Sequence, residues 1–274
     1  ISVGANPTGI AITPNGAFAY VANFGSASVS VIATASNTVI GSPISVGSGP
    51  AGVAITPNGA FAYIANFGSA SVSVIATATN TVVGSPISVG ANPTGIAITP
   101  NGAFVYVANN GSASVSVIAT ATNTVVGSPI SVGSGPAGVA ITPNGAFAYV
   151  SNFVSNTVSV IATATNTVVG SPISVEQRPD FLAVSLNGAS VFVPNQNSNS
   201  VSVISTATNM VTATVTAGIG ANPTGIAITP SDIPIIPTLS DGALLFLLAA
   251  MAAALALRIV TRQASPPPRP PRAI

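Results

Sequence analysis

Glu176, Arg178 and Asp180 are the only charged side chains in the first 230 residues of this 274-residue sequence. Any ionic chemistry in that stretch must therefore come from one short linker. Two carboxylates can cleave a glycosidic bond when they flank it with separated pKa values, but two acids on one exposed loop do not flank a substrate. A serine or threonine nucleophile needs an adjacent base, and the chain has no His and no Lys. The absence of Cys removes thiolate nucleophiles, disulfides and Cys-type zinc sites. Two carboxylates on one loop hold calcium only weakly, with help from backbone carbonyls, so no cofactor and no metal site is expected. The trio reads either as a binding site on a rim or as a solvated local ion pair worth under about 1 kcal/mol.

A second set of polar residues recurs rather than clusters. Asn23, Asn66, Asn109 and Asn152 follow one another at intervals of 43 residues, and Asn195 continues the series. Asn side chains close turns by bonding nearby backbone; a row of them on one rim is alternatively a binding surface. Nucleic acid is not an expected partner. Residues 1–175 carry no charge, Arg258, Arg262, Arg269 and Arg272 crowd the end, and phosphate binding needs clustered cations on the body. Charged residues make up 3 % of the whole, against roughly 25 % in an ordinary soluble domain. One Asn110-Gly111-Ser112 sequon is present, a pattern expected by chance in so Asn- and Ser-rich a chain.

The elements that position these residues follow from the repeat. The segment around Pro7 recurs around Pro50, Pro93, Pro136, Pro179 and Pro223, a period that matches the roughly 40–45 residues of a four-stranded propeller blade. The linkers alternate between GANPTG (4–9, 90–95) and GSGPAG (47–52, 133–138), so a pair of blades was the duplicating unit. Within one unit, period-2 alternation and turn chemistry predict four strands: Gly9 to Thr13, Ala17 to Asn23, Ser28 to Ala33 and Thr38 to Val46. Thr13-Pro14-Asn15-Gly16 has the residues of a type I turn. Pro43 and its copies suit an outermost strand, where a missing N–H costs no ladder bond. A parallel β-helix is the competing architecture, but its coils are usually shorter and lack this hairpin chemistry.

The expected fold is all-β: a β-propeller of four-stranded antiparallel blades over residues 1–230. Five complete units run 9–46, 52–89, 95–132, 138–175 and 181–217, with partial strands at Ile1-Ser2-Val3 and at 225–229. These partial strands, and a first residue other than Met, read as a piece of something longer. Alternating strand direction puts the first and third turns of every unit on one face of the ring. The loops carrying the Asn series and the charged trio share the other. Ile10, Ile55, Ile98 and Ile141 are expected in packing between blades, and the channel is expected to be lined by Gly, Ala, Ile and Thr of the innermost strands.

The repeat P-x-G-[IV]-A-I-T-P-N-G-A-F-x-Y-[VI]-x-N, seen as Tyr20-Val21-Ala22-Asn23 and again at 63–66, 106–109 and 149–152, resembles the YVTN family β-propeller repeat over about residues 1–230. The fifth unit departs from it with Phe192-Val193-Pro194-Asn195. Members of that family include surface-layer and other cell-surface proteins, and its wider relatives include lactonase-like propellers; seven blades are usual there.

From residue 231 the composition changes. A Pro-rich linker (231–238) leads into an apolar run (239–260) and an Arg- and Pro-rich end (261–274) that reads as disordered. Leu239 to Val260 would span about 33 Å as a helix, enough for a bilayer core near 30 Å. The four Arg after it place the C-terminus in the cytoplasm and the propeller outside. Ile236-Pro237-Thr238-Leu239 resembles the IPTL C-terminal sorting signal of bacterial envelope proteins. That resemblance implies processing by an exosortase-type membrane protease, although the usual Trp-Gly is missing. The sequence thus describes a non-enzymatic surface scaffold or binding module in the cell envelope, tethered to the membrane through its C-terminal helix and directed at a surface protein or glycan ligand. The alternatives are a lactonase-like hydrolase propeller and a self-associating matrix or surface-layer component.

Overall fold

The computed structural model describes residues 1–228, and these fold as five antiparallel sheets, one per repeat. The first blade takes its strands from Pro7–Ile12, Phe18–Asn23, Ser28–Ala33 and Thr38–Ser45, paired in that order from the innermost outward. Blades two, three and four repeat this with inner strands Pro50–Ile55, Pro93–Ile98 and Pro136–Ile141. The all-β propeller of four-stranded blades expected from the repeat is thus the architecture of the described residues. Among them, no helix is long and apolar enough to cross a membrane. The linker at 231–238, the span at 239–260, the end at 261–274 and residue Thr229 of the sixth repeat lie outside the described residues.

The hairpins form where the turn chemistry puts them. Gly16 N donates to Thr13 O at 2.7 Å, and Gly16 adopts φ +71°. The inner strand starts two residues earlier than alternation suggests, because Pro7 pairs with Asn23 across a bulge. The outer strand differs more. It is continuous in the first blade, but in the next three it breaks into pairs such as Thr81–Val82 and Ile87–Ser88 around Gly84-Ser85-Pro86. Gly84 turns at φ +67° and Pro86 has no N–H to give the ladder. In the fifth blade the inner strand shrinks to Ala183–Val184, where Asp180-Phe181 replace the small pair used elsewhere.

Packing between blades is the source of the core. One cluster joins Tyr20, Val29, Val31 and Ile44 of the first blade to Ala62, Ile64 and Ile75 of the second, and equivalent clusters follow at each boundary. Ile55, Ile98 and Ile141 pack into these clusters as expected. Ile10 does not: it is 60 % exposed and Ile12 is 59 % exposed. Both belong to the face that other blades turn toward their predecessor, and no described residues precede the first blade on that side.

Two further contacts set how closely blades approach. A β-carbon on Gly9 would lie 2.1 Å from Ala51 O; on Gly52, 2.2 Å from Thr94 O; on Gly95, 2.3 Å from Ala137 O. Only glycine lets the inner strands converge this tightly. Farther out, each tyrosine reaches across the boundary to the asparagine of the next blade's last turn. Tyr20 donates to Asn80 Oδ1, Tyr63 to Asn123, Tyr106 to Asn166 and Tyr149 to Asn209, at 2.6, 2.6, 2.5 and 2.6 Å. Burial raises all four phenols above the usual 10, Tyr106 up to about 12. Phe192 stands at this position in the fifth blade and has no hydroxyl to offer.

The sixth repeat begins against the fifth blade without forming a strand over 218–228: Phe181 N donates to Thr224 O at 3.1 Å and Asn222 N to Asn199 Oδ1 at 2.9 Å. Ile1 to Val3 likewise form no strand. Gly95→Ala should destabilise the propeller by about 1–3 kcal/mol, the usual cost of overpacking, and Tyr106→Phe by about 1 kcal/mol for a lost hydrogen bond, both read from urea midpoints. The phenols add a pH signature. Because the folded state holds protons that the unfolded chain releases near pH 10, stability should fall between pH 10 and about 12, and Tyr106→Phe should weaken that fall.

Candidate functional site

The loops carrying the charged trio and the Asn series do meet on one face. Each linker into a blade hydrogen-bonds the loop after that blade's second strand, as in Phe24 N to Asn6 O at 2.9 Å and Gln196 N to Arg178 O at 2.9 Å. The Asn residues are not part of that surface. Asn23, Asn66, Asn109, Asn152 and Asn195 are fully buried. Asn23 Nδ2 donates to Ser28 Oγ at 3.2 Å and Ser30 Oγ at 3.0 Å, and the other four make the same pair of bonds to their own third strand. Gly4, Gly47, Gly90 and Gly133 close over the amides so tightly that a β-carbon would come within 2.7 Å. The series is therefore structural, and its place in a rim site is corrected: the Asn side chain fastens the second strand to the third beneath the linker. The amide oxygen of all five is buried with no hydrogen-bond partner.

The charged trio also separates. Glu176 and Arg178 are exposed, whereas Asp180 is half-buried on the inner strand path. No ion pair forms among the described residues. Arg178 instead lies over the Phe153 ring, its guanidinium carbon 5.2 Å from the centroid, a cation–π contact in place of the expected local ion pair. Its backbone has φ +56°, the left-handed setting that Asn6, Gly49, Asn92 and Gly135 adopt at the same linker position. The linker conformation thus precedes the side chain: the residue before the inner-strand proline must turn left-handed, which Asn and Gly do readily and Arg does not.

Asp180 stands one repeat after Ala137 and two after Thr94, whose hydroxyl binds Pro136 O and Ala137 O across the boundary. Asp180 thus takes the repeat position that Thr94 and Ala137 hold on their inner strands, although the fifth blade's own inner strand begins later, at Ala183. Burial pushes the Asp180 carboxyl up to about 6, against a smaller opposing pull from the Phe181 backbone N–H. A carboxyl in that range is protonated or ionised according to small changes near neutrality, the property a general base or acid requires. No group of three or more His, Cys, Asp or Glu that could hold a metal occurs among the described residues.

The opposite face carries concave features that the sequence reading missed. Three open clefts lie where the first turn of one blade meets the turns of the next. The one between blades two and three, about 410 Å³, is lined by Thr56, Pro57, Asn58, Phe61, Asn101 and Thr120. Its equivalents, about 510 and 290 Å³, are built from the same types, with Phe104 and Asn144 in one, Phe18 and Asn15 in the other. The Thr-Pro-Asn-Gly turn was legible as a turn. That two turns from neighbouring blades enclose a cleft depends on blade packing.

A model of the family described as Lactonase, 7-bladed beta-propeller matches residues 38–131 and 120–225. No curated protein matches the chain. Among solved structures, a functionally unknown protein from Desulfotomaculum acetoxidans DSM 771 is similar with a TM-score of 0.68 and 22 % identity, over 81 % of this chain and 74 % of that one. The Kuenenia stuttgartiensis hydrazine synthase is similar with a TM-score of 0.60 and 20 % identity, over 82 % of this chain and 90 % of that one. At these identities the two structures establish likeness of fold.

The raised pKa of Asp180 has a consequence for stability. Between the unfolded value of 3.8 and about 6 the folded state binds more protons, so stability falls as pH rises through that window and then levels off. The melting temperature should be higher at pH 4.5 than at pH 7, and Asp180→Asn should reduce that difference.

Proposed function

The chain belongs to the lactonase-type, 7-bladed β-propeller family, and from that premise we propose that it serves as a non-enzymatic binding module or scaffold at the cell envelope. The observation that carries this reading is the chemistry available to the blades. Across the described residues the ionisable acids and cations are Glu176, Arg178 and Asp180; the first two face solvent, and Asp180 has no second ionisable group on the inner strands to share a reaction with. The blades otherwise present neutral Thr, Asn, Ser and Pro side chains, which bind by hydrogen bonds and contact. On this reading the apolar run at 239–260 tethers the module, the Arg after it keep the C-terminus cytoplasmic, and Ile236-Pro237-Thr238-Leu239 is the point at which a sorting protease acts.

A lactonase-like hydrolase is the second reading, and the family description together with one residue favours it. What supports it is that Asp180 is half-buried, with its carboxyl raised to about 6 by burial, so it is the one carboxyl among the described residues that a proton-transfer role would call on. A lactone hydrolysis assay separates the two. The full-length chain should show no turnover of γ- and δ-lactones above the uncatalysed rate, and turnover that disappears in Asp180→Asn would replace the binding reading with the enzymatic one. Fractionation tests the tether: the unprocessed chain should sediment with membranes and need detergent for release. Its recovery in the soluble fraction would overturn the anchor, whereas a soluble product ending near Thr238 would point to processing.

A further inference from the structure

We propose that the three clefts on the turn face are a repeated binding surface for a neutral polysaccharide, one cleft at each of the first three blade boundaries, on the opposite side from the charged linker. The proposal rests on the binding-module reading and names its ligand class and its site.

The first observation is a set of donors held in place and left unused. In each turn the asparagine Oδ1 accepts two hydrogen bonds: for Asn58, from Thr56 Oγ1 at 2.7 Å and Ala60 N at 3.0 Å; for Asn101, from Thr99 Oγ1 at 2.7 Å and Ala103 N at 3.0 Å. Asn15 and Asn144 repeat the arrangement. With its oxygen pinned from two directions, the amide plane is fixed and the Nδ2 hydrogens must point away from the turn. No hydrogen bond among the described residues uses them. A preorganised NH₂ of this kind loses little entropy when it meets an acceptor.

The second observation is the rest of the lining. Phe61 and Phe104 present partly buried rings to the clefts, beside the exposed rings of Pro57 and Pro100. The Thr120 and Thr163 hydroxyls donate to Gly102 O and Gly145 O at 2.6 and 2.5 Å, which leaves their oxygens free to accept. A flat apolar wall, amide donors and hydroxyl acceptors match a pyranose ring, which has an apolar C–H face and a rim of hydroxyls that both donate and accept. No charged residue lines any of the three clefts, so an anionic polymer finds no counter-charge there and a neutral one suffers no unpaired desolvation.

The third observation is the repetition itself. Asn58 lines two clefts and Asn101 lines two, so successive sites share a side chain and form one continuous row. Open clefts of this size bind a single sugar weakly. A polymer that engages adjacent clefts gains affinity by effective concentration, commonly by 10²-fold or more. A periodic ligand is what a periodic row of weak, equivalent sites selects.

The test uses the full-length chain in a sugar-free detergent, immobilised and probed with soluble dextran, yeast mannan and a soluble β-1,3-glucan, with glucose and hyaluronan for comparison. At least one neutral polymer should bind at least tenfold more tightly than the monosaccharide, and hyaluronan should not bind. The double change Asn58→Asp and Asn101→Asp keeps the pinned oxygen and the turn while removing donors from all three clefts, and should weaken polymer binding tenfold or more at an unchanged circular dichroism spectrum. Arg178→Ala, on the other face, should leave it unaltered. Absence of binding by all three neutral polymers, unchanged affinity in the double variant, or loss of binding with Arg178→Ala would each overturn the proposal. The lactone assay stands apart from it: a binding module without affinity for these polymers would still show no turnover. If the double variant fails to fold, Phe61→Leu, which retains the apolar packing and removes a flat ring, carries the same tenfold expectation.

Discussion

Close approach of the inner strands is the constraint on which the rest of this propeller depends. At Gly9, Gly52 and Gly95 there is no room for a β-carbon beside the next blade's carbonyl oxygen. Convergence at the centre fixes the distance between blades everywhere else. It decides that Tyr20, Tyr63, Tyr106 and Tyr149 can reach the asparagines of the following blade, and it sets the gap in which the boundary clusters of Val, Ile and Ala close. The sheets are small and individually marginal. A four-stranded sheet exposes both faces until a neighbour covers them, so stability is shared between nearest neighbours in the way of repeat proteins.

The fifth blade shows what happens when that constraint is relaxed. Phe181 occupies the glycine position and is 43 % exposed, the inner strand contracts to two residues, and the tyrosine is replaced by Phe192. These changes coincide with the one linker that carries charge. Gly138 still meets the fifth blade closely, a β-carbon there falling 2.9 Å from Phe181 Cα, and just before the shortened inner strand Asp180 is half-buried, which raises its pKa. Departure from the repeat and chemical individuality arise at the same place.

The two faces of the blade array divide their work. On the linker face, fully buried Asn side chains and left-handed residues before each proline hold the loops against the sheets, and exposed chemistry is confined to Glu176, Arg178 and the aromatic loops, where the Phe24 and Phe67 rings lie 6.0 Å apart. On the turn face, the Thr-Pro-Asn-Gly turns satisfy their own oxygens and leave amide hydrogens outward. Repetition then supplies what no single turn has, a row of equivalent concavities.

The sequence by itself determined the repeat length, the four strands per repeat, the turn types and the order of strands within each blade, because these depend on interactions within about 40 residues: period-2 alternation, Pro and Gly positions, and short hairpin loops. It also showed that ionic chemistry is confined to one linker, which composition alone decides. Tertiary structure decided which recurring residues stand open in clefts and which are sealed into the scaffold. Asn23 and Asn58 are both repeated polar residues at strand ends, yet one is sealed under a glycine and the other lines two clefts. It likewise decided that Ile12 is exposed while Ile55, one repeat on, is packed, since the difference lies in whether a neighbouring blade is present on that side. Burial, the environment of Asp180 and the clefts are properties of pairs of blades. A single repeat cannot encode them, because the atoms that enclose each site come from residues a full period away.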